Sequence, residues 1–530
     1  MIMRKIYRGL LVILTFIIVI SSVSCSGEQY VADDTSEPTT TDSPGIENDI
    51  SEPVFGGVLR LATTKYSSLN PLITDSEDIR QYMSLVYSNF ISLDYSGKPT
   101  PEIAKNWSSD DNGVTWTFKL RTDAKWHDGG VADSEDIVST INFIKTNGGN
   151  YSENVKKIKS FKATDSETVE IVCNEPCSIL PCLLSFPVLK AENIKDAGKN
   201  PIGSGIYSFD SARSTKDKVY LRNFDGYFGE KPYIEAVEIS TYASNDEKYK
   251  AESGFSVIYD GVMKASYLKE GVITYKISGD EFTGLWFNLN SGATSDIAVR
   301  KAIQNYVDRA DLIKAGAYGH AESALYPVKQ GTFLYDGDKV PSSPDKVLGD
   351  ELMGIAGYSK NSSGMWAKNG SVINAVCLVP ANDTGYLLLA ERLKKNLGKN
   401  GISVTLKYCT TSEYADLLKK GSYSIALMGT SFDTYTDFES AYKTGGKYNI
   451  NSYSNADVDK LITDSEKITN QAELQKTYSE IAEKVGSDSI CCGLYVKNQL
   501  VVTSEKLHGI ESNTMYSWDI FASVHKWYIE

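Results

Sequence analysis

Histidine is scarce in this chain of 530 residues, and the familiar catalytic motifs are missing. There is no H-E-x-x-H helix, no G-x-S-x-G elbow, no P-loop and no G-x-G-x-x-G turn after a strand. No two histidines have the spacing of metal ligands; the four are His127, His320, His508 and His525. The sequence therefore disfavours an enzyme, and it predicts no catalytic residue, no bound metal and no cofactor.

Basic clusters and long apolar runs are also missing after residue 53. The formal net charge is −14, and residues 54–530 carry −9 of it. Such a surface disfavours nucleic acid and an electrostatic contact with a membrane. No segment there is long enough to span a bilayer, and no repeat of 20–50 residues is visible. These 477 residues are too many for one hydrophobic core, so two or three lobes are expected.

Cysteine is sparse, and the sequence does not decide which cysteines form disulfide bonds. Beyond Cys25 there are seven, an odd number, so at least one is unpaired: Cys173, Cys177, Cys182, Cys377, Cys409, Cys491 and Cys492. The first three lack a nearby histidine and are interrupted by prolines, which favours small buried thiols over a metal site. A disulfide among these three stays an alternative.

The first 25 residues are typical of a bacterial lipoprotein signal. A basic start is followed by an apolar run over residues 10–20, too short for a spanning helix, and then by Ser22-Val23-Ser24-Cys25. The lipobox usually has leucine where this chain has Ser22, and a plain secretory signal with an incidental Cys25 is the alternative. Both predict a mature protein outside the cytoplasm. The first adds a lipid on Cys25 that holds it to the outer face of the cell membrane, on the periplasmic side where an outer membrane exists.

Residues 26–53 have the composition of a tether. They contain eight acidic residues, no basic ones and three prolines, among many Ser and Thr. Such a segment buries too little apolar surface to offset the entropy of ordering, so we expect a disordered acidic linker.

Local patterns predict several elements of the body. Alternation predicts an edge-type strand over 56–62 and a hairpin over 107–120. Helices are expected over 133–143 and 299–313, the second ending at Gly316. Residues 372–429 alternate strand and helix, which predicts a mostly parallel sheet in the carboxy-terminal half. Two further helices are expected to begin at the N-caps Ser454 and Asn470.

Several short motifs, weak singly, follow one another in the order of a known family. They are Gly56-Gly57 to Leu69-Asn70-Pro71, Pro101-Glu102-Ile103-Ala104-x-x-Trp107, Asp111 to Arg121, Trp126-His127-Asp128-Gly129, Pro201-x-Gly203-x-Gly205-x-Tyr207, Asn223-x-x-Gly226-Tyr227-Phe228, Phe287-Asn288 and Val299 to Arg309. In this order they resemble the family 5 extracellular solute-binding proteins, the peptide- and nickel-type receptors of ABC importers. The resemblance covers nearly all of 54–530.

That resemblance implies a bilobal α/β fold of the periplasmic-binding-protein type II kind with an additional inserted lobe. Mixed sheets with flanking helices would form lobe I from 54–97, 200–282 and 505–530. Lobe II would be inserted at 98–199, and lobe III would span 283–504. A monomer would bind a peptide or peptide-like solute between lobes I and III and deliver it to an ABC permease. Asp308, Arg309 and Trp107 are expected to hold turns and cores rather than ligand.

The segment 429–433 is the candidate binding site. It directly follows the apolar strand predicted at 424–428, and ligands of open α/β sheets bind beyond the carboxyl ends of strands. It resembles a G-W-x-x-D pattern that peptide-binding members of the family have at this position. The aspartate of that pattern pairs with the α-ammonium group of the ligand. The candidates are Thr430, Ser431, Phe432 and Asp433, with Thr430 standing where the family has tryptophan. A solvated loop carboxylate is the alternative for Asp433.

Three other functions stay open from the sequence. A lipoprotein of the same fold could act in signalling or as a chaperone without a transport step. The solute could be of another kind, such as a nickel chelate. A hydrolase is the third and least favoured.

Overall fold

A computed structural model of the protein describes residues 52–109, 111–250, 256–260, 271–290, 292–325, 327, 331–335, 343–431, 438–510, 517 and 519–530. Residues Pro53–Glu530 form one compact unit, to which all described residues except Glu52 belong. Across these ranges, no helix combines the length and the apolar character needed to cross a membrane.

The strands and helices have the following bounds. The strands are β1 (Val58–Thr64), β2 (Ile91–Leu93), β3 (Pro99–Pro101), β4 (Ala104–Ser109), β5 (Thr115–Leu120), β6 (Ile158–Asp165), β7 (Thr168–Cys173), β8 (Tyr207–Phe209), β9 (Lys218–Asn223), β10 (Ala236–Tyr242), β11 (Val257–Asp260), β12 (Val272–Phe287), β13 (Ala321–Ser323), β14 (Ser359–Lys360), β15 (Trp366–Lys368), β16 (Ser371–Val372), β17 (Asn374–Pro380), β18 (Ser403–Cys409), β19 (Ile425–Ser431), β20 (Cys491–Ser504), β21 (Leu507–His508) and β22 (Tyr528–Ile529). The α-helices are α1 (Glu77–Tyr82), α2 (Ser134–Asn147), α3 (Leu180–Leu183), α4 (Asn245–Lys250), α5 (Ile297–Tyr306), α6 (Arg309–Gly316), α7 (Lys346–Ile355), α8 (Thr384–Lys399), α9 (Thr411–Lys419), α10 (Phe438–Tyr442), α11 (Ala456–Ser465) and α12 (Gln471–Ser487).

One large mixed sheet runs through the protein. Its strand order is β18-β17-β19-β12-β20-β11-β1-β10-β9-β8, with β13 paired to β20. The prediction of an edge strand near residue 60 is wrong, because β1 lies inside the sheet, parallel to both β10 and β11. Leu59 and Leu61 of β1 are fully buried. Pairing with two distant segments, and not the local alternation, decides this position.

The carboxy-terminal half contains the predicted strand–helix alternation. Strand β17 is parallel to both β18 and β19, and α8 and α9 connect them along the chain. Buried Leu389 and Leu393 of α8 belong to the same core as Phe287 of β12 and Val379 of β17. The neighbouring strand β12 is antiparallel to β19, so the sheet as a whole is mixed rather than mostly parallel.

A separate four-stranded antiparallel sheet has the order β4-β5-β7-β6. It contains the predicted hairpin, with Trp107 opposite Phe118. Helix α2 packs on this sheet and begins where the acidic turn predicted it. Asp133 and Asp136 form a capping box there, in which each side chain accepts from the backbone of the other. Asp110, which the hairpin prediction included, lies outside the described residues.

Two predicted helix boundaries are wrong. The helix expected over 299–313 is two helices, because Val307 is extended and Asp308 starts α6 by accepting a hydrogen bond from the Asp311 amide. Helix α11 is capped by Asn455, whose side chain accepts from two amides of its first turn, while Ser454 bonds to Thr444 instead. Asn470 caps α12 as predicted.

Candidate ligand cleft

Two long antiparallel strands join the two halves of the large sheet. Residues 272–278 of β12 pair with β20 where β20 also pairs with β11, and residues 281–287 of β12 pair with β19. The ladder is irregular between these parts: Ser278 faces Asn498, and the next pair is Phe282 with Val496. A bulge bends a strand locally, so the direction of β12 changes between its two parts.

Gly279 lies within this bulge, where the backbone of β20 is so close that there is no room for a side chain. A Cβ built on Gly279 would lie 2.3 Å from the carbonyl oxygen of Lys497, which no real side chain could tolerate. Asp280 of the same bulge accepts a 3.1 Å hydrogen bond from the Ser517 hydroxyl, and the Ser517 carbonyl accepts one from Gln81. The bulge is therefore attached to the first helix of the body as well as to β20.

The carboxyl ends of three parallel strands lie at one edge of the sheet. They are Pro380 of β17, Cys409 of β18 and Ser431 of β19. Helices α8 and α9 start at this edge with the side-chain caps Asp383 and Thr410. The edge thus presents strand ends and helix N-termini together, which is the usual position of ligands in open α/β sheets.

Of the predicted binding residues, Thr430 and Ser431 lie at this edge, beside the bulge. Thr430 is half-buried and pairs with Phe282, and Ser431 is exposed and pairs with Glu281. Phe432 and Asp433 lie outside the described residues. The pairing of β19 with β12 thus places Thr430 and Ser431 next to the bulge between the two halves of the sheet.

Three residues that the sequence did not single out surround this edge. Lys497 Nζ lies 3.1 Å from a carboxylate oxygen of Glu281, an ion pair across β12 and β20. Burial opposes the charge of Lys497, but Glu281, Tyr386 and Asp383 together outweigh burial, and the pKa of the ammonium is raised. Tyr386, in the first turn of α8, packs against β19, and burial raises the pKa of its hydroxyl. Because these contacts join distant segments, no local pattern predicts them.

A second polar cluster contains the carboxyl groups of Glu102 and Asp519. Burial, with a smaller contribution from the charge of Asp519, raises the pKa of Glu102 to about 8. The pKa of Asp519 is raised to about 6, chiefly by burial, although Ser84 and the Phe521 amide both donate to its carboxylate. Glu102 is therefore largely uncharged at neutral pH, an unusual state for a half-buried carboxyl group.

The signature residues that could have formed a site are structural. Both ring nitrogens of His127 are hydrogen-bonded, Nδ1 accepting from the Gly203 amide at 3.2 Å and Nε2 lying 3.0 Å from the Gly205 carbonyl oxygen. The Arg309 guanidinium donates to the carbonyls of Ala324 and Gly493. In the part of the chain that the structure describes, no group of three or more acidic, histidine or cysteine side chains is placed to hold a metal ion.

The family model of the bacterial extracellular solute-binding proteins, family 5 (middle region), matches residues 98–452. The chain belongs to this family, whose members are transport receptors and not enzymes. Its architecture is the multi-lobed, type II-like α/β fold that the sequence predicted.

Relatives and solved structures agree with this assignment. A probable D,D-dipeptide-binding periplasmic protein of Escherichia coli K12 is 22% identical over 440 residues, covering 78% of this chain and 82% of the relative. The structure of a nickel ABC transporter protein from Bacillus halodurans has a TM-score of 0.76 at 18% identity, over 88% of this chain and 98% of that one. The unliganded open form of a periplasmic murein tripeptide-binding protein has a TM-score of 0.78 at 18% identity, over 90% of this chain and 99% of that one.

Proposed function

We propose that this protein is the lipid-anchored receptor of an ABC importer, which captures a peptide or a peptide-like ligand with a free amine and delivers it to a membrane permease. The observation that carries the proposal is the position of the carboxyl ends of β17, β18 and β19 at one edge of the sheet, with the end of β19 paired to β12 beside its bulge. A ligand held at this edge would contact both halves of the sheet. Its binding energy would then favour the closed arrangement, because a ligand shifts an equilibrium by its differential affinity for the two states.

The lobes of this proposal are those expected from the sequence: lobe I from 54–97, 200–282 and 505–530, lobe II from 98–199, and lobe III from 283–504. The bulge at 278–282 lies at the passage from lobe I to lobe III, which supports this division. The separate four-stranded sheet, from β4 to β7, falls within the range of lobe II. The last residues of β20 pair with β11 of lobe I, immediately before the expected return of the chain to lobe I at residue 505.

Asp433 is proposed as the partner of the ligand's ammonium group. Strand β19 leads straight into the segment that contains it, at the edge where a closing cleft would desolvate the ligand. A buried ammonium needs a carboxylate, and removing one member of such a pair costs about 3–5 kcal/mol. Thr430, in place of the family's tryptophan, would provide less stacking surface and so narrow or weaken peptide binding.

Calorimetric titration of a peptide library tests the proposal. Asp433→Asn should weaken binding by about two to three orders of magnitude, and N-acetylation of the peptides should weaken wild-type binding by a similar factor. Asp457→Asn is a matched control, because Asp457 is exposed on α11 and its side chain contacts Lys484. Equal binding of free and acetylated peptides would rule out the amine site, and binding of a nickel–histidine chelate in their place would identify another solute class.

A further inference from the structure

Cys173 and Cys177 are placed as a thiol pair. Cys173 ends β7, and its amide donates to the Val114 carbonyl at 2.8 Å; the amide of Cys177 donates to the adjacent Gly113 carbonyl at 3.0 Å. Both side chains are only 1% exposed, and the Cys177 thiol is hydrogen-bonded to the sulfur of Cys173. Two neighbouring carbonyls thus hold the cysteines side by side.

The surroundings differentiate the two thiols. The hydrogen bond from Cys177 lowers the pKa of Cys173, and the nearby Lys157 ammonium acts in the same direction. The same hydrogen bond, together with burial, raises the pKa of Cys177 well above its ordinary value. One thiol of the pair is thus more acidic than the other. This difference favours thiol–disulfide exchange, since the thiolate is the attacking species.

The third cysteine of the cluster has a different environment. Cys182 lies in α3, and burial raises the pKa of its thiol to about 12. No hydrogen bond from its thiol to Cys173 or Cys177 contributes to the pKa of any of the three. The amide of Cys182 donates to the Ile179 carbonyl within its own turn, whereas those of Cys173 and Cys177 donate to the adjacent carbonyls of Val114 and Gly113, which makes Cys173 and Cys177 the pair held together.

We propose that Cys173 and Cys177 form a disulfide bond in the mature protein, by exchange with a small-molecule or protein disulfide outside the cytoplasm while the chain folds, before both side chains are buried. The Cys173 thiolate attacks one sulfur of the donor, whose S–S bond breaks and whose first thiolate leaves and takes up a proton. Cys177 then loses its proton and attacks the Cys173 sulfur, expelling the second thiolate. The two cysteines are oxidised and one donor disulfide is reduced to two thiols.

The bond would staple a segment that links two parts of the protein. The Ser178 amide donates to the Glu466 carbonyl at the end of α11, at 3.0 Å. Lys157 Nζ lies 3.2 Å from the Glu466 carboxylate and 3.5 Å from that of Glu439. The disulfide would thus lie directly beside the contact between the proposed lobes II and III.

Peptide mapping tests the proposal. The full chain is secreted to the periplasm of an expression host and quenched with N-ethylmaleimide before lysis. It is then denatured in urea with fresh N-ethylmaleimide, so that buried thiols are labelled as well, and digested with trypsin. All three cysteines fall in the tryptic peptide 163–190, between Lys162 and Lys190. We expect one maleimide on this peptide, located on Cys182 by fragmentation, and three maleimides after reduction. Purified reduced protein, unfolded in urea and refolded with oxidised glutathione present, should give the same single label.

Variants separate this pair from the alternatives. Cys182→Ser should leave the peptide unlabelled without reduction, whereas Cys177→Ser should leave Cys173 labelled or carrying glutathione. Three labels in both the secreted and the glutathione-treated protein, or protection of Cys182 with one of the others, would overturn the proposal. The proposal rests on the extracytoplasmic location argued above, because the cytoplasm keeps thiols reduced. The glutathione arm does not depend on that location, and peptide binding is measured separately, so the two proposals can fail independently.

Discussion

Gly429 of β19 lies directly against the hydroxyl group of Tyr386. A Cβ built on Gly429 would lie 2.3 Å from Oη of this tyrosine, and 3.4 Å from the carbonyl oxygen of Phe282. Tyr386 belongs to the first turn of α8, so the contact ties a helix start to the strand that carries Thr430 and Ser431. The shape of the candidate binding edge therefore depends on the absence of a side chain at Gly429.

Gly429→Ala should displace either Tyr386 or the end of β19. We expect weaker ligand binding, and a free energy of unfolding lowered by about 1–3 kcal/mol, the usual cost of overpacking. Gly398→Ala is the control, because Gly398 is exposed in α8 with no atom within 4 Å of an added Cβ. It should stabilise the protein by up to about 1 kcal/mol through helix propensity. Urea unfolding and ligand titration of both variants check this, and wild-type behaviour of Gly429→Ala would contradict it.

His127 should make stability depend on pH. Burial lowers the pKa of its imidazole to about 4, against 6.5 for a free side chain. Between these values the unfolded chain binds more protons than the folded one, so the free energy of unfolding falls as the pH drops. From pH 7 to pH 5 the loss due to His127 should be about 2 kcal/mol.

Urea unfolding of wild type and His127→Gln at the two pH values measures this loss. The variant should lose about 2 kcal/mol less than wild type on acidification, whatever its stability at pH 7. Gln475→Ala provides the control, because Gln475 is exposed on α12 and carries no ionisable group, and its pH dependence should follow that of wild type. Parallel pH profiles for His127→Gln and wild type would show that the imidazole does not resist protonation.

The parts of the fold that the sequence predicted are those set by local patterns. The 107–120 hairpin, helix α2 and the strand–helix alternation after residue 372 follow from periodicity and capping, which act over a few residues. The interior position of β1 follows from its pairing with β10 and β11, and the break at Val307 follows from a single extended residue. Neither leaves a clear mark in the local sequence.

The sequence likewise predicted only part of the candidate site. Thr430 and Ser431 could be assigned to a sheet edge, because the end of an apolar strand in a strand–helix alternation has a known position. The Glu281–Lys497 ion pair and the contact of Tyr386 with Gly429 could not, because strand register brings together segments that lie far apart in the chain. Family resemblance supplied the role of Asp433, which lies outside the described residues.

Glu102 should make stability depend on pH in the opposite sense to His127. Its pKa is raised, mainly by burial, from 4.5 to about 8. The folded state therefore binds more protons than the unfolded chain between these values, and the stabilisation from this uptake is lost as the pH rises through 8. Relative to Glu102→Gln, wild type should lose about 1–3 kcal/mol between pH 5 and pH 8.

Chemical unfolding at intervals of one pH unit would record this difference. Glu167→Gln serves as the control, because Glu167 is exposed in the turn between β6 and β7. A constant offset between wild type and Glu102→Gln from pH 5 to pH 8 would mean that Glu102 ionises normally in the folded protein.

Acylation of Cys25 can be distinguished experimentally from a plain secretory signal. If Cys25 carries a diacylglycerol and a further acyl chain, Cys25→Ala should release the protein from the membrane fraction, because two chains anchor a protein stably and the acidic residues 26–53 give no electrostatic attachment. Ser22→Leu should have the opposite effect on processing, since it restores the usual lipobox residue and so should raise the fraction that is acylated. Fractionation and metabolic labelling with a fatty acid follow both variants, with Ser24→Ala as a control that keeps a small residue before the cysteine. Retention of Cys25→Ala in the membrane, or an unlabelled wild type, would favour the secretory alternative and leave the receptor free outside the cell or in the periplasm.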